Sequence, residues 1–237
     1  MTDLQIRPMT AADVPQASEL FRAGGWGERR ELLELALSIP TIRPLVGIRG
    51  GEVVAAGQAT VNGSVGWVGS IFVRESLRGH GYGRAMTAAV CDLIDKAGCA
   101  TRALIASDLG RPLYEKMGFR VDATYRVFEA RPLETLPAAR ANTVLRPMRA
   151  DDLDRVGRLD SRATGEDRRT LLGCVGALPG RGWVLESDEV SDLLGFAISI
   201  LPGAGATVAP DPDDAACLLD LLRHLHRAAP TPRGPPS

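Results

Sequence analysis

The stretch Arg78-Gly79-His80-Gly81-Tyr82-Gly83-Arg84 decides how this chain folds. Before it, Val65 to Val73 is an apolar run that reads as a strand and ends in Ile71-Phe72-Val73. After it, Ala85, Met86, Ala89, Val90, Leu93, Ile94 and Ala97 recur at helical spacing, which predicts a helix over 83–97 with one apolar face. Glycines at 79, 81 and 83 let the backbone approach a ligand closely and turn its N–H groups inward. A helix start adds unpaired donors and a partial positive charge. First turns favour Asp or Glu, yet Arg84 to Val90 holds no acid, and Arg78 and Arg84 flank the loop. A helix start without its own anion is suited to accept one, such as the phosphates of a cofactor.

Further along, Thr101 to Ala106 reads as a strand, Arg111 to Met117 as a short helix and Phe119 to Glu129 as a closing strand. Ahead of the loop, Leu45 to Ile48, a Gly50-Gly51-Glu52 turn and Val53 to Val61 read as strand, turn and strand. The opening Ile6-Arg7-Pro8-Met9-Thr10-Ala11-Ala12-Asp13-Val14 has an echo in Leu145-Arg146-Pro147-Met148-Arg149-Ala150-Asp151-Asp152-Leu153. In both, a short strand meets proline and an Asp-containing stretch opens a helix. Trp183 to Glu186, a Ser187-Asp188-Glu189 turn and Leu193 to Ile200 repeat the strand–turn–strand. A strand near 206–209 and a helix from about Asp213 to Arg227 follow, and the copy stops there.

This order predicts two similar lobes, the second truncated: 1–131, a linker at 132–142 carrying Pro132 and Pro137, 143–228, and a proline-rich tail at 229–237 with too little apolar surface to order itself. Where the first lobe has its glycine loop, the second reads Ala209-Pro210-Asp211-Pro212-Asp213-Asp214-Ala215. That helix start brings its own carboxylates, lacks glycine and would repel a diphosphate.

Composition bounds the rest. The 237 residues are 45% hydrophobic and 24% charged with a net charge of −1, enough apolar material for a core and no basic field to recruit nucleic acid or an anionic membrane. No apolar run approaches the roughly 20 residues of a spanning helix, and MTDLQIRPMTAAD lacks the layout of a signal peptide. Cys91, Cys99, Cys174 and Cys217 show neither CxxC nor zinc spacing and lie in apolar surroundings, the pattern of reduced core thiols in a cytoplasmic protein. His224 and His226 are two apart on a helix and face different ways, so no metal is assigned.

Residues 4 to 130 resemble the GCN5-related N-acetyltransferase (GNAT) family. Its cofactor signature, Arg/Gln-x-x-Gly-x-Gly/Ala after an apolar strand, is matched by Arg78, Gly81 and Gly83 behind Ile71-Phe72-Val73. Its second signature is matched by Leu113-Tyr114-Glu115-Lys116-Met117-Gly118-Phe119. The resemblance implies an α/β fold with a mixed, mainly antiparallel sheet flanked by helices. It implies that loop amides from Arg78 through Gly79, His80, Gly81, Tyr82 and Gly83 to Arg84 hold the pyrophosphate of acetyl-coenzyme A. The pantetheine arm would lie in a splay between the strands at 65–73 and 101–106, bonded by backbone groups of Ile71, Phe72 and Val73. Tyr114 matches the tyrosine that gives a proton to the departing thiolate, and Ser107 falls among the cofactor-binding positions where relatives often carry Asn.

The activity so implied is transfer of an acetyl group to the primary amine of a small molecule by direct attack, with the second lobe walling one side of the acceptor site. An acyl-CoA sensor without turnover and an acetyltransferase for protein lysines or N-termini are the alternatives. The predicted strand at 65–73 carries no carboxylate, so a general base is sought at Glu28, Glu31 or Asp108, or in a water relay. His80, within the loop, would face solvent or cofactor. Trp26, in the Gly24–Gly27 turn, and Trp67 are acceptor-pocket or packing residues. The acceptor and the oligomeric state are not legible.

Overall fold

A computed structural model describes residues 3–125, 131–139, 141–176, 178–187, 190–201 and 204–225. The chain divides into two compact units, Met1–Tyr125 and Arg126–Thr231. In the first, the order is β1 (Gln5–Pro8), α1 (Val14–Ala23), α2 (Arg30–Ser38), β2 (Ile42–Arg49), β3 (Glu52–Asn62), β4 (Val65–Val73), α3 (Tyr82–Lys96), β5 (Thr101–Ala103) and α4 (Arg111–Lys116). The sheet runs β1-β2-β3-β4-β5, antiparallel except for the parallel β4–β5 pair.

Side chains alternate across a strand, so this sheet buries two apolar layers. On one face Phe72 of β4 joins Phe21, Leu20 and Ala17 of α1 and Leu33 of α2. On the other, Leu45, Ala55, Ala59 and Val68 pack against Met86, Val90, Cys91 and Ile94 of α3. The apolar periodicity read over 83–97 is thus the face by which α3 is held to the sheet.

The second unit contains β6 (Thr143–Pro147), α5 (Leu153–Thr164), α6 (Arg169–Gly176), β7 (Gly182–Ser187), β8 (Val190–Leu201), β9 (Ala204–Val208) and α7 (Pro212–Leu225). Its antiparallel sheet runs β6-β7-β8-β9. Strand, two helices, three strands and a helix follow in the order of the first unit.

The echo at the start of each unit extends to single bonds. Arg7 donates to both oxygens of Asp13 at 2.7 Å, and Asp13 also accepts the Thr10 N–H at 2.8 Å. Arg146 donates to both oxygens of Asp152 at 2.7 and 2.8 Å, and Asp152 accepts the Arg149 N–H at 2.8 Å. Even the next amides agree: Met9 N–H donates to Pro44 and Met148 N–H to Gly182, both at 2.9 Å. The two Asp side chains are buried, and each fixes the angle at which the first strand enters the first helix.

Three expectations are corrected. The closing strand expected over 119–129 is not formed at 119–125, and 126–129 lie outside the described residues. The alternating Phe119, Val121, Ala123 and Tyr125 look like a strand, but β5 ends at Ala103 and gives no ladder to join, so Val121 and Tyr125 stay exposed while Phe119 packs under α3. For the same reason the strand expected over 101–106 has only three residues. Of the four cysteines Cys91 is buried, Cys99 and Cys217 are half-buried, and Cys174, on the outer side of α6, is exposed rather than in the core. The linker residues 132–139 and 141–142 form neither helix nor strand. Part of the linker nonetheless meets α7, where His224 Nδ1 lies 3.2 Å from the Leu133 carbonyl. Among the described residues no helix is long and apolar enough to cross a membrane.

Candidate active site

β4 and β5 pair only from Val65↔Thr101 to Trp67↔Ala103. Beyond that point the chain after Ala103 leads off to α4, and β4 continues from Val68 to Val73 with no strand paired to its β5-side edge among the described residues. A bulge sharpens the divergence. Opposite β3 the register jumps between Gln58↔Gly69 and Ala56↔Phe72, so Ser70 and Ile71 together face Gly57. Ser70 takes φ 52°, a left-handed conformation that costs a side-chain-bearing residue energy and is held by its neighbours.

The bulge also sets which backbone groups reach the gap. Arg74 N–H donates to the Val54 carbonyl at 2.9 Å, so by antiparallel alternation the N–H and carbonyl of Val73 point away from β3, toward the open edge. The Val73 carbonyl indeed meets Arg78 Nε, at 3.4 Å. Phe72 is turned the other way. Its ring lies 5.4 Å from both Phe21 and Trp26, and Arg78 sits 5.7 Å from its centre. Ile71 packs toward α3 and Met86.

The glycine loop closes the end of the gap. Gly79 and Gly81 have φ of 83° and 81°, a region that β-carbons disfavour, and a Cβ on Gly79 would meet open space. Conformation, not crowding, therefore demands glycine at 79. Gly81 is the N-cap of α3, and the first helical bond is Ala85 N–H to the Gly81 carbonyl at 3.0 Å. The amides of Tyr82, Gly83 and Arg84 find no acceptor among the described residues, and the first turn has no acid. Such a terminus concentrates partial positive charge on free donors. The residues present fit a diphosphate.

Side chains of the loop are used differently from one another. Arg84 is exposed. His80 turns its Nδ1 onto the loop's own carbonyls, Arg78 at 3.0 Å and Leu77 at 3.3 Å. Tyr82 is buried, donates its hydroxyl to Asp3, and lies under the Arg49 guanidinium. That bond to Asp3 pushes the Tyr82 phenol upward. Of Tyr82 only the backbone is left for a ligand.

Tyr114, on α4, is half-buried beside Phe119, ring centres 6.0 Å apart. Burial, with some repulsion from Cys91 of α3, raises its phenol above the usual value, so it remains protonated at neutral pH and can donate. Ser107 is exposed and spends its carbonyl on Gly110 and Arg111, at 3.0 and 2.9 Å, with its hydroxyl 3.3 Å from the Gly110 N–H; it starts α4.

Of the carboxylates considered as bases, Glu28 is engaged in a cap. Glu28 accepts from the Ser18 hydroxyl and from the Arg29 and Arg30 amides at 3.0 and 2.9 Å, and these bonds, the Ser18 one foremost, hold it below the usual carboxylate range. It caps α2. Glu31 and Asp108 are exposed. Trp26 packs between Phe21 and Phe72, Trp67 is half-buried in the paired part of β4, and Gly24 lies so close to the Phe72 ring that a Cβ there would fall 1.8 Å from it. Sequence reasoning did not single out Ser70 or Arg29; a serine inside an apolar strand was the one visible trace of the bulge.

A family model described as "Acetyltransferase (GNAT) family" matches residues 12–119. No curated protein matches the chain. Among solved structures, a provisionally assigned acetyltransferase from Pyrococcus horikoshii is similar over 94% of this chain and 76% of its own, with 21% identity and a TM-score of 0.70. An acetyltransferase from Trypanosoma brucei aligns with 54% of this chain and 99% of its own at 22% identity and TM-score 0.48. Glucosamine-6-phosphate N-acetyltransferase from Arabidopsis thaliana aligns with 53% and 97% at 19% identity and TM-score 0.46. At 21% identity the Pyrococcus likeness speaks to the fold alone. The family match is more specific, since it takes in β4, the glycine loop, α3 and α4: the N-terminal unit is a GNAT acetyltransferase domain, and the protein is an acyltransferase.

Proposed function

We propose that the N-terminal unit moves an acetyl group from acetyl-coenzyme A to the primary amine of a small molecule by direct attack in a ternary complex. The observation that carries this reading is the acid-free, glycine-hinged start of α3 set at the end of the β4 edge that β5 leaves. Acetyl-coenzyme A supplies the activated thioester. The amides of Tyr82, Gly83 and Arg84 would hold its diphosphate, and the outward N–H and carbonyl of Val73 would fix its arm along β4. Tyr114, kept neutral by burial, would give its proton to the departing thiolate. A phenol at or above pKa 10 is a weaker acid than a thiol at about 8.5, so full transfer to the thiolate is uphill and is drawn forward by the exchange of thioester for amide, the phenol regaining its proton from water. With Glu28 held in its cap, the proton lost by the amine goes to water.

The second unit we read as a shortened relative of the same fold that has lost its cofactor site. The matching Arg7–Asp13 and Arg146–Asp152 bonds and the Asp211 cap on α7 support this. The domain limits proposed are 1–131, 143–228 and a linker between them, with a tail at 229–237. A cytoplasmic setting, where acetyl-coenzyme A is made and thiols stay reduced, suits the chemistry.

Titration of the purified protein with acetyl-coenzyme A tests the reading, with saturation expected at tens of micromolar or below and its absence ending it. Coenzyme A release across a panel of amines then reports turnover. Tyr114→Phe should lower kcat about 10- to 1000-fold; a variant with full kcat at every pH removes Tyr114 from the acid role.

A further inference from the structure

Arg29 stands at the N-cap of α2, in the α1–α2 turn that Gly24 presses onto the Phe72 ring. It is half-buried, and burial alone shifts it, pulling its guanidinium below the usual value. Every other strongly held arginine of this unit has a carboxylate: Arg7 has Asp13, Arg22 has Glu19, Arg49 has Asp3, Arg74 has Glu52 and Arg102 has Asp95. Arg29 has none among the described residues. Its Nε donates to the Trp26 carbonyl at 3.0 Å, its carbon lies 5.7 Å from the centre of the Trp26 ring, and its two terminal nitrogens have no acceptor. The nearest acid in sequence, Glu28, is already spent on Ser18 and two amides.

Burying a cation without a partner costs free energy, and a guanidinium stacked on an aromatic face with its fork free is arranged to take a planar anion in two bonds. Its location names that anion's source. Trp26 touches Phe72, the residue before Val73 on β4, so Arg29 stands two contacts from the stretch of β4 along which the cofactor's arm is proposed to lie.

We propose that Arg29 selects the acceptor, and that the acceptor is an amine carrying a carboxylate, such as an amino acid or a related amino-carboxylic acid. This rests on the reading of the N-terminal unit as an amine acetyltransferase and narrows its substrate class. The carboxylate bridges the free fork of Arg29, which leaves the amino end of the same molecule directed along β4.

The test compares amines in pairs that differ in one group: amino acids beside their amides and their decarboxylated amines, followed by coenzyme A release. The wild-type protein should prefer the carboxylate member by about 10- to 100-fold in kcat/KM, the value of a charge-assisted pair. Arg29→Gln should abolish that preference by raising KM for the carboxylate member far more than for the amide; Arg29→Lys should restore part of it. A role confined to packing would lower both members of each pair alike, and that result overturns the proposal. Should Arg29→Gln fold poorly, the wild-type ratio and Arg29→Lys decide it: equal or reversed rates for the paired amines refute it. Wild-type turnover that favours uncharged amines rejects the carboxylate acceptor and keeps the acetyltransferase reading. Bound acetyl-coenzyme A with no turnover of any amine rejects both.

Discussion

The starts of α3 and α7 are two versions of one junction, each at the end of a strand at the sheet's edge or next to it. At α3 the cap is glycine, the first turn carries no acid and three amides look for acceptors outside the helix. At α7 the chain answers its own amides: Asp211 accepts the Asp213 N–H at 2.8 Å, with Asp214 at 3.4 Å, and Asp213 and Asp214 add negative charge to the turn. A helix terminus has the same needs wherever it occurs. What differs is whether the sequence meets them internally, for stability, or leaves them open for a ligand. The neighbouring strands agree, since β4 has a parallel partner that leaves it, whereas β9 closes its sheet among the described residues.

The most severe way to break this contrast is to give α3 the chemistry of α7. Gly83 has ordinary φ, and a Cβ there meets only Leu113 at 3.4 Å and Val73 at 4.0 Å, so an aspartate fits. Gly83→Asp should weaken acetyl-coenzyme A binding about 100-fold relative to the neutral Gly83→Asn, with a larger gap at low salt, measured by calorimetric titration. Equal losses in the two variants would deny the electrostatic account.

Next in size is the shared Arg–Asp hinge. Asp152→Asn should cost the second unit about 2–3 kcal/mol, and Asp13→Asn the first unit about 1–2 kcal/mol, by urea melts. The ranking follows exposure: Arg146 is 15% exposed and also bonds Glu186, whereas Arg7 is 40% exposed. Both carboxylates are held below their usual range by the arginine beside them. Their contribution is therefore present at neutral pH and drains away as pH falls below about 4. The gap between wild type and each Asn variant should be full at pH 7 and narrow progressively as urea melts are taken below pH 4. Smaller again, Gly81→Ala should cost about 1 kcal/mol of stability through its left-handed φ and weaken cofactor binding with it. Least of all, Asp211→Ala should remove about 0.5–1 kcal/mol from the second unit and leave acetyl-coenzyme A affinity untouched. A change in affinity there would mean that the two termini are not independent.

Much of this was legible in residues alone. Glycines at 79 and 81, the acid-free turn after them and the 83–97 periodicity were enough to place a helix start with open amides, because those are backbone properties set within a few residues. Side-chain destinations were not legible. Whether Phe72 faces the gap or the α1 layer depends on a bulge at Ser70, and a one-residue change of register reverses every neighbour. Tyr82 looked like a loop residue and is instead an anchor for Asp3, a partner 79 positions away. The strand expected over 119–129 failed for a similar reason, since alternation is local while its ladder would have depended on how far β5 extends. Arg29 was invisible because an arginine is ordinary until the absence of its carboxylate can be seen.

The Asp3 anchor ties the first residues of the chain to the cofactor's helix: Asp3 takes the Tyr82 hydroxyl on one oxygen and Arg49 Nε at 2.6 Å on the other. Thermodynamic linkage then runs both ways. Occupancy at the diphosphate cradle should slow amide exchange and protease cutting around residues 3–8, and a fusion placed against Asp3 should register as a weaker grip on nucleotide.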